Sequence, residues 1–236
     1  MNHSMNRSFE RQVNTIKFEP IFCCSRNEES AHEVLNVLPP HYNSELYFSA
    51  LPTSLSWDLI IKQLRLVYIL NSKDTSTLYF INISSAIFLN SDCIRELLYC
   101  YKKIFAFELE DISSIQTMDN KKLTILSNNI KRLRDAGFSI WLDVVTDEFI
   151  PYIAGLNGQF DGIKLDKHAF WEALKKDNLR TFVAKFPQHT SNVLIKGIEN
   201  ITHFRIAKEV HAKHMQGHFW PSLYIRTNKR SSFLEA

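Results

Sequence analysis

Two apolar runs in the second half of the chain each lead into a charged residue. FSIWL is followed by Asp143, and the short run GI is followed by Lys164. Three further runs end in the same way, at Asn82 after LYFI, at Glu108 after IFAF and at Lys196 after NVLI. In a (β/α) barrel the C-terminal ends of the strands meet at one rim, so a polar residue at each end faces a shared pocket. The pattern therefore predicts a parallel α/β barrel with a polar site at one rim.

The length and composition fit one such barrel. The 236 residues are 45% hydrophobic, which is enough for one large core. We predict a single domain over residues 17–236, preceded by a polar arm at residues 1–16. Amphipathic spacing predicts helices over residues 54–70 and 121–136, and Gly137 stands where a glycine commonly ends a helix.

Charge and hydropathy exclude several classes of function. The net charge is +3, and no block of lysine and arginine alternates with aromatic residues, so we expect no direct binding to nucleic acid. We find neither a leader-type apolar segment nor a run near the ~18 apolar residues of a membrane span. The four cysteines have no zinc-type spacing and are expected to be core thiols. These features predict a cytoplasmic protein, in which the basic stretch IRTNKR forms a solvated tail.

The strand-end residues have the chemistry of a site for a hard divalent cation. If the segment HEVL also forms a strand, Glu33 joins Asn82, Glu108 and Asp143 at the rim. Three carboxylates and one amide oxygen suit Mg²⁺ or Mn²⁺. The alternative is that each residue is only the polar, solvent-facing end of its strand.

The motifs along the chain resemble those of EAL domains, which hydrolyse cyclic-di-GMP on a modified (β/α)8 barrel. HEVL is similar to the EAL tripeptide with Glu33 as its glutamate, INIS to the NxS motif with Asn82, and FELED to the ExTE motif with Glu108. LDVVT is similar to the DDFG motif with Asp143, and GIKLD to the KID motif with Lys164. IKGIEN is similar to EGVE at Lys196, and MQGHFWP to QGY at Gln216. The resemblance implies the TIM-like EAL barrel.

Four departures from the family pattern affect the implied active site. The second aspartate of DDFG is Val144, the glutamate of EGVE is Lys196, and the expected phosphate-binding arginine is Val37. The loop after the aspartates lacks its glycines. Two-metal hydrolysis requires carboxylates that bridge the ions, and a lysine beside them repels a cation. We therefore expect no enzyme activity, no cofactor and no metal. A single residual cation would use Glu33, Asn82, Glu108 and Asp143, but we favour a salt bridge from Lys196 to one of these carboxylates.

Stand-alone EAL proteins with degenerate sites generally bind other proteins. This chain resembles the enterobacterial YdiV-type proteins, which bind the FlhD subunit of the flagellar master regulator and block its DNA binding. The resemblance implies an anti-activator of flagellar transcription and motility, with FlhD as partner and without cyclic-di-GMP. Two alternatives remain open, a catalytically inactive cyclic-di-GMP receptor and a weak cyclic-di-GMP phosphodiesterase.

The partner surface is not identified by the sequence. Phe170, Trp171 and Trp220 are candidate anchors, although for each we favour the alternative of a core aromatic that covers the barrel. His211 and His214 are three residues apart on an expected helix, and we take them as surface residues because no third metal ligand has a matching spacing.

Overall fold

The structure is a computed structural model, and it describes residues 13–71, 77–101, 104–149, 160–186, 190 and 192–227. The strands within these ranges are β1 (Thr15–Cys23), β2 (Glu28–Val37), β3 (Leu78–Ile83), β4 (Phe105–Leu109), β5 (Ser139–Val145), β6 (Gly162–Leu165), β7 (Val193–Ile195), β8 (His214–Gln216) and β9 (Leu223–Arg226). The helices are α1 (Ser44–Ser49), α2 (Thr53–Leu70), α3 (Ser85–Phe88), α4 (Ser91–Cys100), α5 (Ile112–Gln116), α6 (Asn120–Asp135), α7 (Lys167–Lys175), α8 (Leu179–Val183) and α9 (Ile201–Glu209).

Eight strands close into a barrel that is surrounded by helices. Strands β2 to β8 lie side by side in sequence order and are parallel. Strand β1 completes the barrel between β8 and β2 and is antiparallel to both. The predicted α/β barrel is therefore confirmed, with one reversed strand that periodicity did not reveal.

Strand β1 has different partners along its length. Its second half, Ile21 to Cys23, pairs with β8, whereas Thr15 to Phe18 pair with β9. Strand β9 thus lies outside the closed barrel and includes Ile225 and Arg226, so the start of IRTNKR is a strand rather than the predicted tail. Residues 1–12 of the predicted arm lie outside the described residues. Strand β1 begins at Thr15, two residues before the predicted domain boundary, and Ile16 is buried.

The two predicted helices are confirmed to within one residue as α2 and α6. The side chain of Asp119 caps α6 by accepting the backbone N–H of Lys122 at 2.8 Å. After the helix, Gly137 has φ 91°, a left-handed conformation that glycine adopts without a Cβ clash. The chain then continues directly into β5.

The barrel interior is filled by one apolar residue from most of its strands: Ile21, Ala31, Phe80, Ala106, Trp141 and Leu194. The Trp141 ring lies against the backbone of β6, where a Cβ on Gly162 would be 2.3 Å from it. A glycine at position 162 is therefore required if the indole is to fill the barrel. A second, larger core lies between the outside of the sheet and the helices.

Several predictions for single residues are wrong. His211 follows α9 with φ 61°, and His214 is a half-buried residue of β8, so the two histidines do not share a helix. Burial, with Arg26 and Lys213 nearby, lowers the pKa of His214 to about 4. Cys100 is exposed rather than a core thiol.

No helix in the described ranges has the length and apolar character needed to cross a membrane.

Candidate functional site

The polar site is placed by the two-residue period of the strands. Side chains at alternate positions of a strand point to the same face of the sheet. Each site residue on β2 to β7 stands two positions beyond a residue of the inner layer. These pairs are Ala31 and Glu33, Phe80 and Asn82, Ala106 and Glu108, Trp141 and Asp143, Gly162 and Lys164, and Leu194 and Lys196. The polar residues therefore form the next layer inside the barrel, above the apolar one.

Lys164 lies at the centre of this layer and is fully buried. Its Nζ contacts Glu108 Oε1 and donates to Glu33 Oε2 at 2.8 Å. It also donates to Gln216 Oε1 at 3.3 Å and lies 5.0 Å from the centre of the Phe80 ring. Burial lowers the pKa of Lys164, but the carboxylates around it outweigh that effect and raise the pKa overall. The ammonium group therefore stays charged.

Glu33 is held as a carboxylate by three side chains. Its Oε1 accepts from Asn82 Nδ2 at 3.0 Å, and its Oε2 accepts from Gln216 Nε2 at 2.6 Å as well as from Lys164. Burial would raise the pKa of Glu33. The charges of Lys164 and Lys196 and the hydrogen bonds from Lys164 and Gln216 outweigh it and hold the pKa well below the ordinary range.

Lys196 forms the predicted salt bridge, and its partner is Asp143. Lys196 Nζ donates to both carboxylate oxygens of Asp143 at 3.0 Å. Burial lowers the pKa of Lys196, but Asp143, Glu33 and Glu108 raise it by more, so the net shift is upward. Lys196 thus supplies a permanent positive charge at the rim.

Glu108 is a carboxyl group of the site whose charged form is disfavoured by its surroundings. It is fully buried, and its Oε2 has no hydrogen-bond partner among the described residues. Burial raises its pKa well above the usual value, and the charges of Glu33 and Asp143 add to this effect. Two lysine ammonium groups therefore lie among the three carboxyl groups of Glu33, Glu108 and Asp143. They supply positive charge where a metal ion would otherwise balance the carboxylates.

The residues do not fit a divalent cation in this arrangement. Oxygens of Glu33, Glu108 and Asp143 lie within 4.8 Å of one another, as a cation site requires. However, Lys196 occupies both oxygens of Asp143, and Lys164 contacts the other two carboxyl groups. A divalent ion would therefore have to displace an ammonium group or lie beside two of them.

The structure brings together most of the residues singled out by sequence. Glu33, Asn82, Glu108, Asp143, Lys164, Lys196 and Gln216 all belong to the contacts described above. Glu33 lies in the middle of β2 rather than at a strand end. Val37 is the half-buried last residue of β2, and Val144 lies in β5 with its side chain outside the described part of the structure.

The sequence reasoning missed Glu19, which accepts from Gln216 Nε2 at 3.2 Å. Glu19 lies two positions before Ile21 on the reversed strand β1, so the same two-residue period applied backwards would have identified it.

The predicted partner anchors are not freely exposed side chains. Phe170 is fully buried, so of the two alternatives it is the core aromatic. Trp171 is half-buried and donates its Nε1–H to Gly197 O at 2.9 Å. Trp220 is half-buried and stacks on Phe22, with 5.1 Å between the ring centres.

Comparisons with known proteins agree with this architecture. An EAL domain from Listeria monocytogenes EGD-e has a TM-score of 0.69 at 16% identity, with 94% of each chain covered. The FimX EAL domain from Pseudomonas aeruginosa, bound to c-di-GMP, has a TM-score of 0.73 at 15% identity, covering 92% of this chain and 94% of that one. The EAL-like protein YdiV has a TM-score of 0.62 at 14% identity, covering 89% and 92%.

The sequence comparisons give two further results. No curated protein matches the sequence significantly. The family model of the EAL domain matches residues 3–221, which is most of the chain. This protein therefore belongs to the EAL-domain family.

Proposed function

We propose that this protein is a non-enzymatic EAL-like regulator that binds the FlhD subunit of the flagellar master transcription activator in the cytoplasm. By blocking DNA binding of the activator, it represses flagellar genes and motility. The observation that carries the proposal is the Lys196 ammonium on both oxygens of Asp143. A site whose carboxylate is neutralised by its own lysine has no need of an ion for stability.

The chemistry of the site argues against phosphodiester hydrolysis. Two-metal hydrolysis needs a pair of ions about 3.5–4 Å apart, held by carboxylates whose oxygens are free to coordinate. Here Asp143 is engaged by Lys196, and the neighbouring position 144 is a valine. The engagement of Asp143 and the valine at position 144 therefore support a binding role over hydrolysis.

The choice of a protein partner is supported by similarity rather than by site chemistry. YdiV is among the solved structures that this chain resembles, and the two chains cover each other almost completely. YdiV is an EAL-like domain protein, and the sequence motifs described above favour the same degenerate group. Fold alone does not fix function, so this step requires a direct binding experiment.

A second candidate, a catalytically inactive cyclic-di-GMP receptor, is favoured by one specific observation. The FimX EAL domain was solved bound to c-di-GMP, and this chain retains the Lys164 and Gln216 pair inside the barrel. Occupancy by the nucleotide would then bias a contact with a partner. The charge of Lys196 and the valines at positions 37 and 144 oppose this candidate.

Isothermal titration with cyclic-di-GMP in Mg²⁺ and then in Ca²⁺, with a check for linear product, separates the possibilities. The proposal predicts neither heat nor product. It also predicts that purified FlhD is retained by the immobilised protein. Binding of the nucleotide would favour the receptor instead, and linear product would contradict the non-enzymatic assignment. The variant Lys196→Glu with Val144→Asp, which restores the family's carboxylates, is the matched control and is expected to gain affinity for divalent cations.

A further inference from the structure

Strand β9 is the edge strand of the sheet. It is the last strand in the sheet order, and its pairing within the described residues is with β1 alone. One side of its backbone therefore pairs with Thr15 to Phe18, and the other side has no strand beside it in the part of the chain that is described. Exposed edges of this kind present unpaired N–H and C=O groups that can pair with another chain.

Strand β9 exposes apolar side chains on both of its faces. Leu223 is 60% exposed and Tyr224 is 58% exposed. Consecutive residues of a strand point to opposite faces, so neither face of β9 is covered at these positions. Charged side chains commonly protect edge strands from pairing with other chains, and in β9 only the last residue, Arg226, is charged. An apolar edge strand that is exposed on both faces is the surface expected where another strand docks.

Aromatic residues extend this surface beside β9. Phe219 is exposed, and its ring centre lies 5.2 Å from that of Trp220 and 5.8 Å from that of Phe204. Trp220 in turn stacks on Phe22 of the barrel. We call these four residues, Phe22, Trp220, Phe204 and Phe219, the aromatic ladder. It contacts the core at Phe22 and reaches solvent at Phe219. It therefore offers a rigid apolar contact, as interface hot spots do.

Three exposed cations lie on β9 and α9. Arg226 ends β9, and Arg205 and Lys208 lie on α9, where Lys208 Nζ is 5.7 Å from the centre of the Phe204 ring. All three side chains are exposed, and within the described ranges none of them forms an ion pair. Two exposed carboxylates, Glu199 before α9 and Glu209 at its end, stand against these three cations, which leaves a positive excess of one. A complementary partner would therefore carry acidic side chains.

We propose that the edge of β9 that faces away from β1 binds an extended segment of the partner protein in which apolar residues alternate with acidic ones. The segment adds a strand to β9, and its backbone hydrogen-bonds to the N–H and C=O groups on that side. Its apolar side chains cover Leu223 and the aromatic ladder, and its carboxylates meet the cations of β9 and α9. This inference deepens the proposed function and rests on it, because it names the surface on which the partner docks.

The first test uses purified FlhD and titration calorimetry. Leu223→Glu and Tyr224→Glu each replace an exposed apolar contact by a charge that repels an acidic segment, and each is expected to weaken binding at least tenfold. Tyr99→Glu changes a side chain that is 83% exposed on α4 and is the matched control, expected to bind as the unmodified protein does. Because all three side chains are exposed, the variants should keep their melting temperatures. Unchanged affinity in both β9 variants, with FlhD still bound, would overturn the β9 assignment and leave the proposed function intact.

A second probe separates failure of the docking surface from failure of the proposed function. If FlhD does not bind the unmodified protein, the partner assignment fails, and β9 is tested with two synthetic peptides, one alternating valine with glutamate and one alternating valine with lysine. The acidic peptide is expected to shift the backbone amide resonances of residues 223–226, and the basic peptide is not. No shift with the acidic peptide would refute the proposal. A concentration-dependent dimer that Leu223→Glu abolishes would also refute it, because β9 would then pair with a second copy.

Discussion

Replacing Lys196 with methionine removes the cation that faces Asp143 and leaves that carboxylate almost buried without a partner. At a separation of 3.0 Å and an effective dielectric constant of about 20, the attraction between the two charges is about 5–6 kcal/mol before desolvation is counted. Breaking one side of a fully buried pair costs about 3–5 kcal/mol. The side chain of Lys196 is 24% exposed and that of Asp143 6% exposed, so water offsets part of this cost. We expect Lys196→Met to lower the free energy of unfolding by about 2–3 kcal/mol.

Urea denaturation and thermal melting measure this loss, which corresponds to a fall in melting temperature of roughly 4–12 °C for a chain of this size. Lys131→Met is the matched control. Lys131 pairs with Asp135 on the surface, where the side chains are 72% and 64% exposed, and such pairs contribute about 0–1 kcal/mol. Equal losses in the two variants would refute the argument that Lys196 neutralises a buried charge. The double variant Lys196→Met with Asp143→Leu should recover part of the stability, because no unpaired charge remains.

The other predictions concern the pH response, the barrel interior and the thiols. Because the folded-state pKa of Glu33 is depressed, its stabilisation is complete above about pH 4.5 and is lost below it, so Glu33→Gln should flatten the acid side of the curve of melting temperature against pH. The pKa of Glu108 is shifted upward, so its ionisation opposes folding as pH rises. Glu108→Gln should therefore make the melting temperature fall less steeply as pH rises, and an unchanged slope would contradict the upward shift. Gly162→Ala should cost about 1–3 kcal/mol in urea denaturation by displacing Trp141, and an unchanged midpoint would show that the indole can move. Cys100 should be the first of the four thiols to react with a labelling reagent in the native state, and earlier labelling of another cysteine by mass spectrometry would contradict its exposure.

The layer of polar residues could be predicted because it depends on local periodicity. Asn82, Glu108 and Asp143 each follow an apolar strand, and the barrel fold brings neighbouring strand ends together. The Lys196 salt bridge follows from the same reasoning, since a lysine at one strand end meets the carboxylates of the others. These predictions required only that the strands be parallel and adjacent.

Other features depended on long-range pairing that periodicity does not encode. The alternation of apolar and polar residues in β1 is the same whichever way the strand runs, so its reversal and the role of Glu19 were not visible. Strand β9 is four residues long and follows a proline, and it forms only because β1 offers an edge. The upward shift of the pKa of Glu108 likewise depends on its burial and on the carboxylates around it in space, which no spacing in the sequence specifies.

Strand β1 pairs with strands from both ends of the chain, and this affects how the protein folds during synthesis. Glu19 on β1 meets Gln216, which is 197 residues later, and Asn14 meets Thr227, which is 213 residues later. While the ribosome is still making the intervening strands, β1 has only β2 beside it, and the growing sheet remains an open ribbon. Glu33 lacks the Lys164 ammonium until 131 further residues have been added, and it lacks Gln216 for longer still. Contacts so distant in sequence make barrel closure a slow and late step of folding. The nascent protein therefore passes through a stage in which one edge of the sheet is unpaired and Glu33 has not yet met Lys164 and Gln216. Such an intermediate is prone to aggregation, and this is the stage at which chaperones are most needed.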